Sequence, residues 1–252
     1  MKIGYVLSGG AVRSIAHIGA IKALQEMGIQ PNVMSASSGG ALFGIGIAAG
    51  FSPDETLKIV LKVGSMKWFY PSRKPGGLFS LSRISDNLYK ELPVKKFDEL
   101  EIPLIVAATD FLNGETVFIT EGEIIPAIMA SCSYPGIFEP IEIDGRTFLD
   151  GGITNNFPVE PLLGDCDKII GMSGGRGSVI DKVPNLQQTM IRSLSLAITQ
   201  HDLNRFDKCD VLIQPKNLYQ FGMFDGAKGQ EIFDIGYKHT ISVASEIEAI
   251  FK

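Results

Sequence analysis

Apolar residues along the chain fall into two kinds of block. Short, mostly aliphatic runs at 3–7, 104–109 and 168–172 have the length of strands buried on both faces. Longer blocks repeat every three to four residues and predict helices. The first is 15–27, with Ile18, Ile21 and Leu24 on one face and Gly28 as its stop. The next, to about Val63, opens on Ser52-Pro53-Asp54-Glu55, a capping box with Pro at the first helical position. Further helices are predicted at 82–92, 124–131, 185–206 and 229–251, and Tyr134-Pro135-Gly136 breaks the chain after the second of these. Strands are predicted at 30–34, 116–119 and 211–214, and Asn113-Gly114 marks a turn before the second of them. Asp144-Gly145 between 141–143 and 147–149 predicts a hairpin. Strands alternating with helices predict an α/β fold, a mostly parallel sheet with helices on both faces. At 252 residues the chain is long enough for one large core, so 1–252 is read as a single domain.

One junction stands apart. Between the strand at 30–34 and a small-residue helix at 41–49 lies Met34-Ser35-Ala36-Ser37-Ser38-Gly39-Gly40-Ala41-Leu42. Strand, sharp turn and helix form the setting of a nucleophile elbow. Two registers fit the pattern small-x-Ser-x-Gly, one on Ser37 and one on Ser38. The second is favoured, because Ala41-Leu42 then starts the helix on good helix formers. The alternative is a serine that only caps the helix, since the first glycine of G-x-S-x-G is absent.

A serine nucleophile needs an oxyanion site and a base. Ser8-Gly9-Gly10-Ala11-Val12-Arg13-Ser14, between a strand and a helix, offers backbone N–H groups to an anion. It matches neither G-x-x-x-x-G-K-[ST] nor G-x-G-x-x-G, which leaves a transient oxyanion or a plain tight turn. The chain has three histidines. His17 reads as a satisfied core residue, and His201 and His239 fall inside helices. The order Ser38, Asp150, then His201 or His239 matches that of α/β-hydrolases, but neither histidine sits at a strand end. Asp150 does, followed by Gly151 and Gly152. A carboxylate is a weak base, so such a site must raise its pKa. The alternative for Asp150 is a turn cap.

Composition narrows the partners. A net charge of −5 argues against nucleic acid. Cys132, Cys166 and Cys209 are odd in number and widely spaced, which suggests a reducing compartment and no zinc site. Met1-Lys2-Ile3 leads straight into a strand, so no secretory signal is expected. The longest apolar run, 41–51, is too short to span a bilayer. The expected location is cytoplasmic, with peripheral membrane contact through Met66, Lys67, Trp68, Phe69, Tyr70, Arg73 and Lys74. The alternative for that aromatic group is a cover over the core. No cofactor and no metal is expected.

Four segments together resemble one family. The stretch from Leu7 to Gly19, with Gly9-Gly10-Ala11, Arg13 and His17, resembles the glycine-rich segment of patatin-like phospholipases. Ala36-Ser37-Ser38-Gly39-Gly40 resembles that family's elbow and sets the register at Ser38. Ala130-Ser131 through Pro135-Gly136-Ile137-Phe138 resembles its A-S-x-x-x-P-G-x-F segment. Asp150-Gly151-Gly152 with Asn155-Asn156-Phe157-Pro158 resembles its D-G-G element. The resemblance, over about 2–161, implies a three-layer α/β/α fold like that of patatin and the acyl carrier protein transacylase-lysophospholipase group. It implies a Ser38–Asp150 dyad without histidine and an oxyanion hole from Gly9, Gly10, Ala11 and Gly39. Arg13 would meet a phosphate headgroup or form an ion pair. The implied substrates are phospholipids, lysophospholipids or other acyl esters. An acyltransferase and a lipid-binding regulatory protein of the same fold are the alternatives. Three positions depart from the pattern: Ala11, Ser14 and Ala36 stand where the family has glycine.

Overall fold

The computed structural model describes residues 1–63, 70–175, 181–183 and 185–251. Strands run at β1 (Ile3–Leu7), β2 (Val33–Ser37), β3 (Tyr70–Pro71), β4 (Phe79–Ser80), β5 (Leu104–Asp110), β6 (Glu115–Ile119), β7 (Ile141–Ile143), β8 (Arg146–Asp150), β9 (Lys168–Met172) and β10 (Val211–Ile213). Helices run at α1 (Ile15–Glu26), α2 (Gly39–Ala48), α3 (Pro53–Val63), α4 (Ser82–Glu91), α5 (Ile124–Ser131), α6 (Gly152–Asn155), α7 (Leu186–Phe206), α8 (Gly229–Ser242) and α9 (Ala244–Phe251).

Eight strands form the central sheet in the order β10-β9-β1-β2-β5-β8-β7, with β6 also paired to β5. From β10 to β5 all pairings are parallel; β6, β8 and β7 add antiparallel partners. Side chains of β1 alternate between two cores, as a pleated strand requires. Ile3, Tyr5 and Leu7 enter the larger core, with Ile18, Ile21 and Leu24 of α1, Ile45 of α2, and Ile232 and Phe233 of α8. Val6 enters the smaller one with Phe157, Val159, Leu162 and Ile169, against which Phe206 of α7 packs. The sheet is therefore covered on both faces, giving three layers.

Local signals hold where the chemistry is local. Ser52 and Glu55 exchange capping bonds, Ser52 N–H to Glu55 Oε2 at 3.0 Å and Glu55 N–H to Ser52 Oγ at 3.3 Å. Asn185 caps α7 by accepting the Gln188 N–H. Two expectations need correction. The second strand runs over Val33–Ser37, not 30–34, because pairing with both β1 and β5 carries Ser35, Ala36 and Ser37 into the sheet. Tertiary pairing there overrides the weak strand preference of small polar residues. The last helix is two: α8 ends at Ser242 and α9 starts at Ala244. Thr240 and Ser242 hydroxyls donate to the Gly236 and His239 carbonyls, competing with the helical ladder at the break.

The pairing of β5 decides what comes together. One flank of β5 holds β6, from Val106↔Ile119 to Asp110↔Glu115. The other flank holds β2 as far as Ser37↔Ala107, and then β8 from Ala108↔Asp150 onward. Since β2 is parallel to β5 and β8 antiparallel, their C-terminal ends meet head to head beside it.

Candidate active site

Ser38 is the first residue past β2. Its backbone has φ 49° and ψ −125°, a conformation that costs a non-glycine residue about 1–3 kcal/mol. Its surroundings hold it there. The Ser38 N–H donates to Ser131 Oγ at 2.7 Å, and that hydroxyl donates to the Ala107 carbonyl at 2.6 Å. A Cβ on Gly39, the first residue of α2, would lie 2.6 Å from the Ala11 carbonyl, so only glycine lets the helix start come that close to the loop after β1.

Asp150 ends β8 and is 3% exposed. Its Oδ2 accepts the Ser38 hydroxyl at 2.6 Å, and its Oδ1 accepts the Gly152 N–H at 2.8 Å. Burial pushes its pKa up to about 6, while those two hydrogen bonds pull it down. The backbone around it is pinned by Asp150 N–H to the Ser133 carbonyl and by Thr109 Oγ1 to the Asp150 carbonyl.

The loop after β1 lies beside this pair. His17 Nε2 donates to the Ser8 carbonyl at 3.0 Å, and Ser14 Oγ donates to the same oxygen at 3.1 Å. Burial pushes His17 down to about 4, so it is neutral and serves the loop as a brace. The Gly9 N–H donates to the Asn156 carbonyl at 3.1 Å. That removes Gly9 from the expected oxyanion donors, because its N–H is already engaged. The N–H groups of Gly10, Ala11 and Gly39 have no acceptor among the described residues. The Arg13 Nε and N–H both point to the Gly10 carbonyl, at 3.3 and 3.1 Å.

Residues 5–163 match the family model described as patatin-like phospholipase. The chain belongs to that family. It is 32% identical over 205 residues to an uncharacterized NTE family protein of Mycobacterium tuberculosis, covering 77% of this chain and 57% of that protein. It is 27% identical over 281 residues to neuropathy target esterase sws of Drosophila melanogaster, covering 93% of this chain and 19% of that protein. The chain thus spans little more than half the length of the first and a fifth of the second. Among solved structures, VipD from Legionella pneumophila superposes with a TM-score of 0.58 at 15% identity, over 97% of this chain and 67% of VipD, a likeness of fold.

The candidate site of this patatin-like chain opens into a pocket of about 210 Å³. Gly9, Gly10, Ala11, Arg13, Ser38, Gly39 and Asp150 all line it, so the sequence motifs converge on one cavity. Its walls are largely apolar, with Leu42, Phe43, Leu81, Ile84, Ile198 and Phe224. Ser37 is fully buried, its Oγ has no partner among the described residues, and it does not line the pocket. His201 is exposed on α7, and His239 sits near Lys216 on α8; neither lines it.

The three departures from glycine are absorbed in different ways. Ala36 packs its methyl into the larger core from an extended strand, where glycine has no advantage. Ser14 gains a bond to the loop through its hydroxyl. Ala11 alone bears strain, at φ 50°.

Sequence reasoning did not single out Ser131, Asn156 or Asp202. The first two stand inside the quoted motifs, but what they touch is set by long-range packing. Asp202 carries no local signal at all. Met66, Lys67, Trp68 and Phe69 lie outside the described residues. Tyr70 is exposed, with the Arg83 guanidinium 4.8 Å from its ring centre. Among the described residues, no helix is long and apolar enough to cross a membrane.

Proposed function

We propose that this chain hydrolyses carboxylic esters of lipids through Ser38 and Asp150. The observation that carries this reading is the 2.6 Å hydrogen bond between Ser38 Oγ and Asp150 Oδ2, in an apolar pocket with no histidine on its walls among the described residues. Asp150 takes the hydroxyl proton as Ser38 Oγ attacks the ester carbonyl. The oxyanion is held by the N–H groups of Gly10 and Ala11 and by Gly39 at the start of α2. Asp150 gives the proton to the departing alcohol oxygen, leaving Ser38 acylated. It then takes a proton from water, which attacks the acyl carbon, and the proton returns to Ser38 Oγ as the fatty acid leaves. A carboxylate raised to about 6 is ionised at neutral pH and close enough to it to accept a proton. Apolar walls suit an acyl chain, and Arg13 among the lining residues suits a phosphate headgroup. Substrates are thus phospholipids, lysophospholipids or simpler acyl esters, met in the cytoplasm or at a membrane surface.

The test is hydrolysis of a chain-length series of soluble and lysolipid esters, with fluorophosphonate labelling. Wild type is expected to turn over and to label on Ser38, and Ser38→Ala to do neither. Labelling without any hydrolysis, in the presence of added alcohol acceptors, would move the reading to acyl transfer.

A further inference from the structure

We propose that Asp202 of α7 is a positioning residue that holds the oxyanion loop in shape through Asn156. The proposal rests on the hydrolase reading above. Asn156 brackets the Gly9 peptide: its carbonyl accepts the Gly9 N–H at 3.1 Å, and its side-chain Nδ2 lies 3.5 Å from the Gly9 carbonyl. The next two residues, Gly10 and Ala11, are the proposed oxyanion donors. Asp202 Oδ2 accepts the second Nδ2 hydrogen at 2.7 Å.

That bond fixes which way the amide faces. A carboxylate oxygen opposite the amide selects its NH₂ end, so Nδ2 is the atom that meets the Gly9 carbonyl. Freed from Asp202, the amide can turn and set its own oxygen against that carbonyl, which pushes the loop away. The contact is tight, because a Cβ on Gly9 would lie 2.2 Å from Asn156 Oδ1. Asp202 lies at helical spacing from the residues by which α7 lines the pocket. Ser195, Ile198 and Thr199 line the cavity and stand seven, four and three residues before it. Tyr134 ties the same helix down by donating to the Ile191 carbonyl at 3.1 Å.

Stability alone does not explain an aspartate here. Asp202 is 3% exposed, and its Oδ1 has no hydrogen-bond partner among the described residues. Arg205, one turn on, spends its Nε on Glu160 at 2.6 Å. Burying a carboxyl group so poorly paired is costly, and an apolar side chain of similar volume is often as stable or more so. What the apolar residue lacks is the acceptor that orients Asn156.

The experiment compares wild type, Asp202→Leu, Asp202→Asn and Ser38→Ala on a soluble short-chain ester. It also measures inhibition by an aliphatic trifluoromethyl ketone, whose adduct with a serine hydroxyl carries an oxyanion, and thermal melting. For Asp202→Leu, kcat is expected to fall about 10²-fold with KM little changed, as for a small misplacement of catalytic groups. Ketone affinity should fall in proportion while the melting temperature holds or rises. Asp202→Asn keeps an acceptor oxygen and should stay within about fivefold of wild type. A folded Asp202→Leu with wild-type kcat and ketone affinity overturns the proposal, as does an Asp202→Asn as impaired as the leucine variant. If Asp202→Leu fails to fold, Asn156→Ala takes its place; the same fall is expected, and wild-type kcat and ketone affinity in that variant overturn the proposal. An inactive wild type, indistinguishable from Ser38→Ala, defeats the hydrolase reading and this inference with it. An active wild type beside an unaffected Asp202→Leu defeats the inference alone.

Discussion

Ser38 Oγ and Asp150 Oδ2 stand 2.6 Å apart because the strands that carry them end against one another on the same flank of β5. The pair is 112 residues apart in the chain, yet its meeting needs only two backbone registers. Ser37 opposes Ala107, and Asp150 opposes the next residue, Ala108. The geometry of the pair is thus set by sheet pairing, with the positive-φ turn at Ser38 supplying the last step.

From the Asp150 environment comes a pH profile. In the proposed mechanism Asp150 must be ionised to accept the serine proton, and burial holds its pKa at about 6. Hydrolysis should therefore rise with pH through about 6 and level off above it, with a single ionisation on the acid limb. Asp150→Asn should lose about 10²–10⁴-fold in kcat and show no such limb. His201→Ala and His239→Ala should keep both rate and profile. An Asp150→Asn enzyme with wild-type turnover, or an acid limb that moves with either histidine, would assign the base elsewhere.

The register at the elbow gives a second expectation. Ser37 is fully buried and its hydroxyl has no partner among the described residues, so Ser37→Ala removes a buried polar group with no hydrogen bond to lose there. Melting temperature should be equal or higher, with activity retained. Ser131→Ala should do the opposite, stranding the Ser38 N–H and costing about 1–3 kcal/mol. Peptide mapping of a fluorophosphonate adduct separates the two serines directly; label found on Ser37 would reverse the assignment.

Much of this site is readable without the fold. The elbow, the glycine-rich loop and the Asp150 turn are local patterns, and their residues line one pocket. β1 and β9 are legible because unbroken apolar runs need burial on both faces. β2 is offset from its expected position because Ser35, Ala36 and Ser37 are strand residues only by virtue of their neighbours. The engagement of the Gly9 N–H is decided by Asn156, 147 residues away. Asp202 lies among polar helical residues such as His201 and Asn204, and no period in the sequence tells which of them turns inward.

Ala11 offers a test of strain. An alanine at φ 50° costs about 1–2 kcal/mol relative to the right-handed region, and glycine removes that cost. Glycine also loosens the unfolded chain, which takes back about 0.4–1 kcal/mol. Ala11→Gly should thus be neutral or stabilised by up to about 1.5 kcal/mol, with kcat kept or raised. Ala11→Val, β-branched at a positive φ, should lose stability and most of kcat. A valine variant with unchanged kcat would exclude this loop from the oxyanion hole.

The last prediction separates Asp202 from the other carboxylates by its pH dependence. Burial holds its folded-state pKa at about 7, above its ordinary value of 3.8, while hydrogen bonding to Asn156 and the Arg205 charge pull the other way. The folded protein therefore binds this proton more tightly than the unfolded chain does. The stability it contributes is fully present below the unfolded value and is lost as pH rises through about 7. Asp150 acts with the same sign, but its loss is complete at lower pH, near 6. Asp110 lies the other way, held at about 2 by the Arg146 guanidinium, and no longer titrates in this window. Asp202→Asn has no proton to lose. Its melting temperature relative to wild type should climb between about pH 4 and about pH 7 and stay level above. Thermal melts of both proteins across that range measure the difference directly. A gap that is flat with pH, or that shrinks as pH rises, would mean that Asp202 is ionised at little cost where it stands.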